Sequence, residues 1–480
     1  MTHRFFSTIA KLQPQPARPQ RFRQFLNCGI IFACVLAIVF TASVAIVASS
    51  SLPSPLFTRD ASGILSTFST AGQIDLANPF FQSLGTNGRT CATCHQPADA
   101  WTVTPAHIQQ RFYTSGGIDP IFRPVDGANC PSADVSTFST KRSAYSLLLN
   151  KGLIRISLPV PATADFTIQS IQDPYSCPET TSGQPAMYRR PLPSTNLGFL
   201  ATVMWDGRET KKGAFIATDL KQQTIDATLG HAEASAPPTA DQVSQIVAFE
   251  TALYTGQAVD QNAGSLTARG ARGGPVNLST QPFHIGINDV LGQDPSGAAF
   301  NPNVFDIFNS WSNARGEDSE ARRSIARGQA LFNTLPITIT GVAGLNDLPG
   351  LSTVNGTCTT CHDTPNAGNH SVSLAIKIGT TDYPAMPALD IGGLPVYTVQ
   401  CSDGSQVQVT DLGRALITGK CADVGKLKGP ILRGLAARAP YFHNGGAATL
   451  LDAVEFYNQR FNLNLSNQQK QDLVAFLKTL

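Results

Sequence analysis

Cys91-Ala92-Thr93-Cys94-His95 and Cys358-Thr359-Thr360-Cys361-His362 repeat one five-residue pattern: two thiols two residues apart, then an imidazole. Thiols one helical turn apart can each add to a vinyl group of a haem, and the next residue can swing its imidazole under the ring to ligate iron. Random placement of the chain's 10 Cys and 8 His would give roughly 0.003 such motifs, so two are not coincidence. A four-thiolate zinc site could be assembled from two Cys-x-x-Cys pairs, but it has no use for a His after both. A redox dithiol fails on the same ground. The motifs therefore point to two covalently bound haem c groups. Cys91, Cys94, Cys358 and Cys361 are the thioether positions, and His95 and His362 the proximal iron ligands.

Two such groups need two protein cups, and a chain of 480 residues has the length for two domains after an export segment is set aside. Hydrophobic residues make up 42% of the chain and charged ones only 14%. The near balance of 35 basic against 33 acidic side chains, with no basic stripe interleaved with aromatics, gives no reason to expect nucleic acid. No acidic residue precedes Asp60, while Arg4, Lys11, Arg18, Arg21 and Arg23 flank an apolar run from Cys28 to Ala48. Positive flank, apolar core and the small residues Ala48, Ser49 and Ser50 read as a secretory signal, and the length also suits an uncleaved membrane anchor. Either reading places the remainder in the periplasm, soluble or anchored to the inner membrane. Four cysteines outside the motifs, Cys130, Cys177, Cys401 and Cys421, fall two and two along the chain. Cys130–Cys177 and Cys401–Cys421 are the simplest pairs, although four cysteines allow three connectivities.

Helical patterning is clearest where apolar residues recur every three or four positions. Thr239–Tyr254 carries Val243, Ile246, Val247, Ala248 and Leu253 on one face, and Ser319–Asn333 does likewise with Ile325, Ala326, Ala330 and Leu331. At the C-terminal end Ser466 and Gln469 form a capping box before the stripe Leu473, Val474, Phe476 and Leu477. Strand patterns are short and scattered. The expectation is a mainly α protein of two cytochrome c-like haem domains packed face to face, with long loops. The division is residues 1–50 as signal or anchor, 51–71 as linker, 72–315 as an N-terminal haem domain and 316–480 as a C-terminal haem domain.

Several further stretches resemble the bacterial di-haem cytochrome c peroxidase and MauG superfamily. They are Gly85-Thr86-Asn87-Gly88-Arg89-Thr90 before the first motif, Trp205-Asp206-Gly207-Arg208, Ala326-Arg327-Gly328-Gln329-Ala330-Leu331-Phe332, and Gly429-Pro430-Ile431-Leu432-Arg433-Gly434 followed by Ala439-Pro440-Tyr441-Phe442-His443-Asn444-Gly445. The resemblance covers most of Asn78–Leu480 and breaks at Phe112–Lys141 and Gly256–Arg315. It implies that Trp205 lies between the two haems and passes electrons. It also implies a Gln and, ten residues later, a Glu over the open face of the first haem, which Gln223 and Glu233 match once an insertion near Lys211–Thr218 is allowed. A carboxylate there takes a proton from peroxide and returns it to the leaving water; His231 competes for this part.

At the second haem the resemblance implies a distal ligand at Tyr457, a MauG-like trait, with Met386 as the rival. A phenolate favours ferric and higher oxidation states. His107 follows the first motif at an interval unlike that of the family's removable sixth ligand, so it either caps the first haem or is an ordinary polar residue. Relatives hold calcium between domains with an Asn. Lys141-Arg142-Ser143-Ala144-Tyr145 offers none, which makes calcium doubtful. The implied activity is an exported di-haem oxidoreductase reacting with hydrogen peroxide, fed by a small cytochrome or cupredoxin. The alternatives are a MauG-like oxidase acting on aromatic residues of a protein substrate, and a non-enzymatic electron carrier.

Overall fold

The computed structural model describes residues 50–178, 184–211 and 215–480. The apolar run Cys28–Ala48 lies outside them, as does part of the assumed insertion near Lys211–Thr218. Among the described residues no helix is long and apolar enough to cross a membrane.

The three helices read from periodicity form where expected. Ala240–Thr251 is capped by Thr239, whose side chain and that of Gln242 satisfy each other's backbone N–H. Ser319–Thr334 buries Ile325, Ala326 and Phe332, and Asn467–Leu477 starts from the Ser466–Gln469 capping box. These last two helices cross closely at Gly328, where a Cβ would stand 1.9 Å from the Asp472 carbonyl oxygen. The crossing buries Phe305, Phe332 and Phe476 edge to face.

The rest is not mainly α, and the expected fold class is corrected. Of the described residues 30% are helical and 17% extended, and the strands form six small sheets. With 40 Gly and 32 Pro the chain is cut into short pieces, and strands such as Gly63–Ser69 and Phe166–Gln172 pair antiparallel with partners far along the chain that local periodicity does not reveal. The face-to-face packing expected of two cytochrome c-like haem domains is not shown, since the described residues from Ser50 to Leu480 group together by contact. The stretch expected as a linker contributes strands Ser51–Pro53, Leu56–Asp60 and Gly63–Ser69. The last two join Leu253–Asp260 and Gly264–Ser265 in a four-stranded sheet with Leu65 fully buried. Phe166–Gln172 pairs with Val396–Cys401, which pairs with Gln406–Val409, so one sheet joins early and late parts of the sequence. Cys130 pairs with Cys177 and Cys401 with Cys421.

Candidate functional site: two cavities sharing a tryptophan

Each Cys-x-x-Cys-His opens on a single turn of tight helix. Thr90 and Thr357 cap these turns, and Thr93 and Thr360 return a hydrogen bond to the capping N–H. The turn sets both thiols and the imidazole on the wall of one cavity: Cys91, Cys94 and His95 line the first, and Cys358, Cys361 and His362 the second. The four thiols are free. The open space, including that toward solvent, is about 1610 Å³ in the first and about 1810 Å³ in the second.

His95 Nδ1 lies 2.9 Å from the Trp101 carbonyl oxygen and His362 Nδ1 lies 3.1 Å from that of Gly368. A carbonyl only accepts, so each Nδ1 carries the proton and each Nε2 keeps its lone pair. Burial pushes both imidazoles down to about 4, which holds them neutral, the form that ligates iron.

Trp205 lines both cavities. Its indole N–H donates to the Arg190 carbonyl at 2.8 Å, and its own carbonyl accepts from the Lys428 N–H at 2.8 Å. The His443 ring meets it edge to face at 6.1 Å, and Lys428 Nζ stands 5.9 Å from the ring centre. Asp206, next in the chain, binds Arg189 at 2.5 Å and Arg208 at 2.9 Å, and Arg189 also binds Asp411 at 2.7 Å. All of Arg189, Asp206 and Asp411 are buried, so the Trp-Asp-Gly-Arg turn is pinned by a fully paired charge network.

Four other cations at the cavities, of which Arg190, Lys428 and Arg433 are buried and Arg438 half-buried, have no such partner. Arg190 and Lys428 line both cavities, Arg433 the first and Arg438 the second. Among the described residues none forms an ion pair, and their side-chain hydrogen bonds go to backbone carbonyls. Burial lowers Lys428 to about 7, Arg433 to about 9, and Arg190 and Arg438 to about 10. Unpaired buried charge is costly. Two haems would bring four propionates to this junction, so the residues present fit the group that the motifs imply.

Of the residues assigned to the first cavity from sequence, Gln223 lines it and Glu233 does not. Glu233 is exposed, and its carboxylate accepts a 2.9 Å hydrogen bond from the Asn87 amide. Gly85 lets its loop approach so closely that a Cβ there would stand 1.9 Å from the Ala232 carbonyl oxygen. Thr86, Asn87 and Arg89 then bind the backbone of residues 231–233. His231 does line the cavity, and its Nδ1 contacts Asp126 at 2.5 Å. Asp126 also meets Arg89 at 2.6 Å. Burial opposes its charge, but His231 and Arg89 outweigh burial and hold the carboxyl below its usual range. Arg89 could be singled out by its place before the motif; Asp126, in a stretch where the resemblance breaks, carries no sequence signal. Glu250 lines the same cavity on the buried side of its helix. His107 points elsewhere: its Nδ1 is 2.7 Å from Asp99, and it is not among the lining residues.

In the second cavity Tyr457 is on the wall, with Phe442, Phe456 and Phe461 around its ring. Burial raises its phenol above the usual range. Met386 packs behind the wall with Leu389 and Phe456 and does not line the cavity.

No protein-family model matches the chain. Over 138 residues it is 34% identical to the cytochrome-c peroxidase IdrP2 of Denitromonas iodatirespirans, 27% of this chain and 37% of that protein. Over 177 residues it is 30% identical to the IdrP2 of Pseudomonas sp. strain SCT, 35% of this chain and 42% of the relative. A 69-residue stretch is 45% identical to the cytochrome c551 peroxidase of Nitrosomonas europaea, 14% of this chain and 21% of that one. The chain thus spans at most about two fifths of these curated relatives. A solved MauG-like protein associated with microbial copper homeostasis overlays 84% of this chain and 86% of its own at 15% identity, with a TM-score of 0.37, too loose a likeness to define the fold.

Proposed function

Because the chain belongs to the bacterial di-haem cytochrome c peroxidase and MauG superfamily, we propose that it is an exported di-haem oxidoreductase that reacts with hydrogen peroxide in the first cavity and exchanges electrons through the second. The observation that carries this reading is the shared wall: each cavity has one Cys-x-x-Cys-His, and Trp205 lines both. When bound, the two haems supply redox-active iron, and every other task falls to the chain.

Cys91, Cys94, Cys358 and Cys361 hold the groups covalently, and His95 and His362 present neutral Nε2 atoms to iron. Arg190, Lys428, Arg433 and Arg438 neutralise the propionates. Gln223 orients peroxide by hydrogen bonding, and His231, aligned by Asp126, moves a proton between the two peroxide oxygens. Glu233 can share that work only by leaving Asn87. Trp205 carries electrons between the cavities, its indole N–H anchored on the Arg190 carbonyl. A small cytochrome or cupredoxin supplies the reducing equivalents. A second reading, oxidation of aromatic side chains on a partner protein, is favoured by one observation: Tyr457 is on the second cavity's wall while Met386 is behind it.

The test is the optical spectrum of the purified ferric protein before and after one equivalent of peroxide, for the wild type and Trp205→Phe. The proposal expects both haem signals to respond in the wild type and only one in the variant. A long-lived Trp205-dependent product supports the partner-oxidising reading. Rapid turnover only with a reduced small cytochrome supports the peroxidase. No reaction with peroxide would refute both and leave an electron carrier.

A further inference from the structure

At the second cavity, whose wall includes His370, three polar side chains from two distant segments converge. Asp289 is 1% exposed, Asp363 0% and His370 6%. One donor atom from each lies within 4.8 Å of the other two. Asp289 Oδ1, Asp363 Oδ2 and His370 Nδ1 are all buried without a hydrogen bond. His370 Nδ1 does stand 2.9 Å from Asp363 Oδ2, but that contact lacks hydrogen-bond alignment. Among the described residues neither carboxylate pairs with Lys or Arg. Two buried carboxylates with no cation are a severe desolvation cost.

The cluster is held by a built frame. Asp289 belongs to the segment 284–297, within the region where the family resemblance breaks. Its other oxygen accepts from the Leu291 and Gln293 N–H groups at 3.1 Å. The Asn288 amide donates to the Asp363 carbonyl at 3.1 Å, and the Gly286 N–H to the Ser371 carbonyl at 3.0 Å. The second oxygen of Asp363 accepts from the Ser371 N–H at 2.7 Å. The two carboxylates are thus fixed through one oxygen each by backbone N–H groups, leaving Asp289 Oδ1 and Asp363 Oδ2 to face His370 Nδ1.

We propose that Asp289, Asp363 and His370 bind a divalent transition-metal cation, of the zinc class, that ties the 284–297 segment to the second Cys-x-x-Cys-His motif. The charge fits, since two carboxylates and a neutral imidazole are balanced by one dication. The ligand set, oxygen and imidazole without thiolate, suits zinc or manganese. One of the three spacings can be compared directly, and all three donors lie within 4.8 Å of one another. Donors each about 2.1 Å from one ion stand roughly 3.0–3.4 Å apart in octahedral or tetrahedral sites, and the 2.9 Å His370–Asp363 contact is of that order. The site is independent of peroxide chemistry and contains no haem-attaching residue.

The test uses the haem-loaded protein. Elemental analysis of the wild type, supplied with ZnCl2 and desalted, is expected to give one equivalent of zinc beside the haem iron. Asp289→Asn is expected to lose that equivalent while its haem absorption stays the same. In the chelator-treated wild type, ZnCl2 or MnCl2 is expected to raise the melting temperature, and in the variant to leave it unmoved. If Asp289→Asn fails to fold, the wild-type titration decides alone. Absence of a stoichiometric non-haem metal and of any thermal shift with either salt overturns the proposal, as does full zinc retention by a folded Asp289→Asn protein.

Discussion

Glu250 offers the sharpest quantitative test of the first cavity. Its side chain is buried, Oε2 has no hydrogen bond, and burial pushes the carboxyl from 4.5 up to about 7, with Ser194 offsetting only part of the shift. An acid whose folded pKa exceeds its unfolded pKa is harboured more readily protonated than ionised. The folded state is therefore favoured below 4.5, loses stability as pH rises from 4.5 to 7, and stays penalised above 7. The shift corresponds to about 3 kcal/mol in all, most of it falling between about pH 5 and about pH 8. Glu250→Gln keeps the shape and removes the titration. Guanidinium unfolding of the haem-loaded wild type and variant at the two pH values isolates the effect, because all other titrating groups cancel in the comparison. The variant is expected to be more stable at the higher pH by about 2–3 kcal/mol relative to its difference at the lower one. Parallel pH dependences for the two proteins would show that Glu250 is solvated or paired in solution and would refute the reasoning.

Both motifs are expected to be occupied in the exported protein, giving two haems that resist acid–acetone extraction; one haem, or zinc without iron, defeats the functional reading. Tyr457→Phe is expected to change the ferric spectrum of the second haem and shift its potential upward, while Met386→Leu leaves both unmoved; the reverse pattern would make Met386 the ligand. Gly328→Ala forces the Ser319–Thr334 and Asn467–Leu477 helices apart at the Asp472 carbonyl. Overpacking of this kind costs about 1–3 kcal/mol, more than the helix propensity gained, so a lowered denaturation midpoint is expected and an unchanged one would mean the crossing is slack.

Features that depend on neighbours in sequence were legible. The haem turns, the three helices and the Ser466–Gln469 cap follow from spacing, because helix periodicity and capping act within four residues. The disulfide pairs are the simplest of the three connectivities the four cysteines allow. What depended on distant partners was not legible. Strand Phe166–Gln172 is short, and its mate lies far downstream, so the sheets were underestimated and the fold class mistaken. The Asp126–His231 pair was hidden for the same reason: its carboxylate and imidazole are 105 residues apart. Glu250 carries no sequence signal, because an acidic residue on the apolar side of a helix runs against helical amphipathicity. The separation of ten that singled out Gln223 and Glu233 says nothing of the direction in which each side chain points.

The sheet that joins Phe166–Gln172 to Val396–Cys401 has a consequence for how this protein is made. The buried Arg189–Asp411 bond beside it closes a loop of 222 residues. Contacts so remote form late and slow folding. A chain under synthesis can complete its first Cys-x-x-Cys-His turn long before the residues that close the sheet have appeared. The interval leaves Cys91 and Cys94 open to the haem-attachment apparatus, and it leaves Phe166, Ile168 and Ile171 unpaired and prone to aggregation. On the proposed di-haem reading, haem ligation at Cys91 and Cys94 would precede the arrival of a strand from far downstream in the polypeptide.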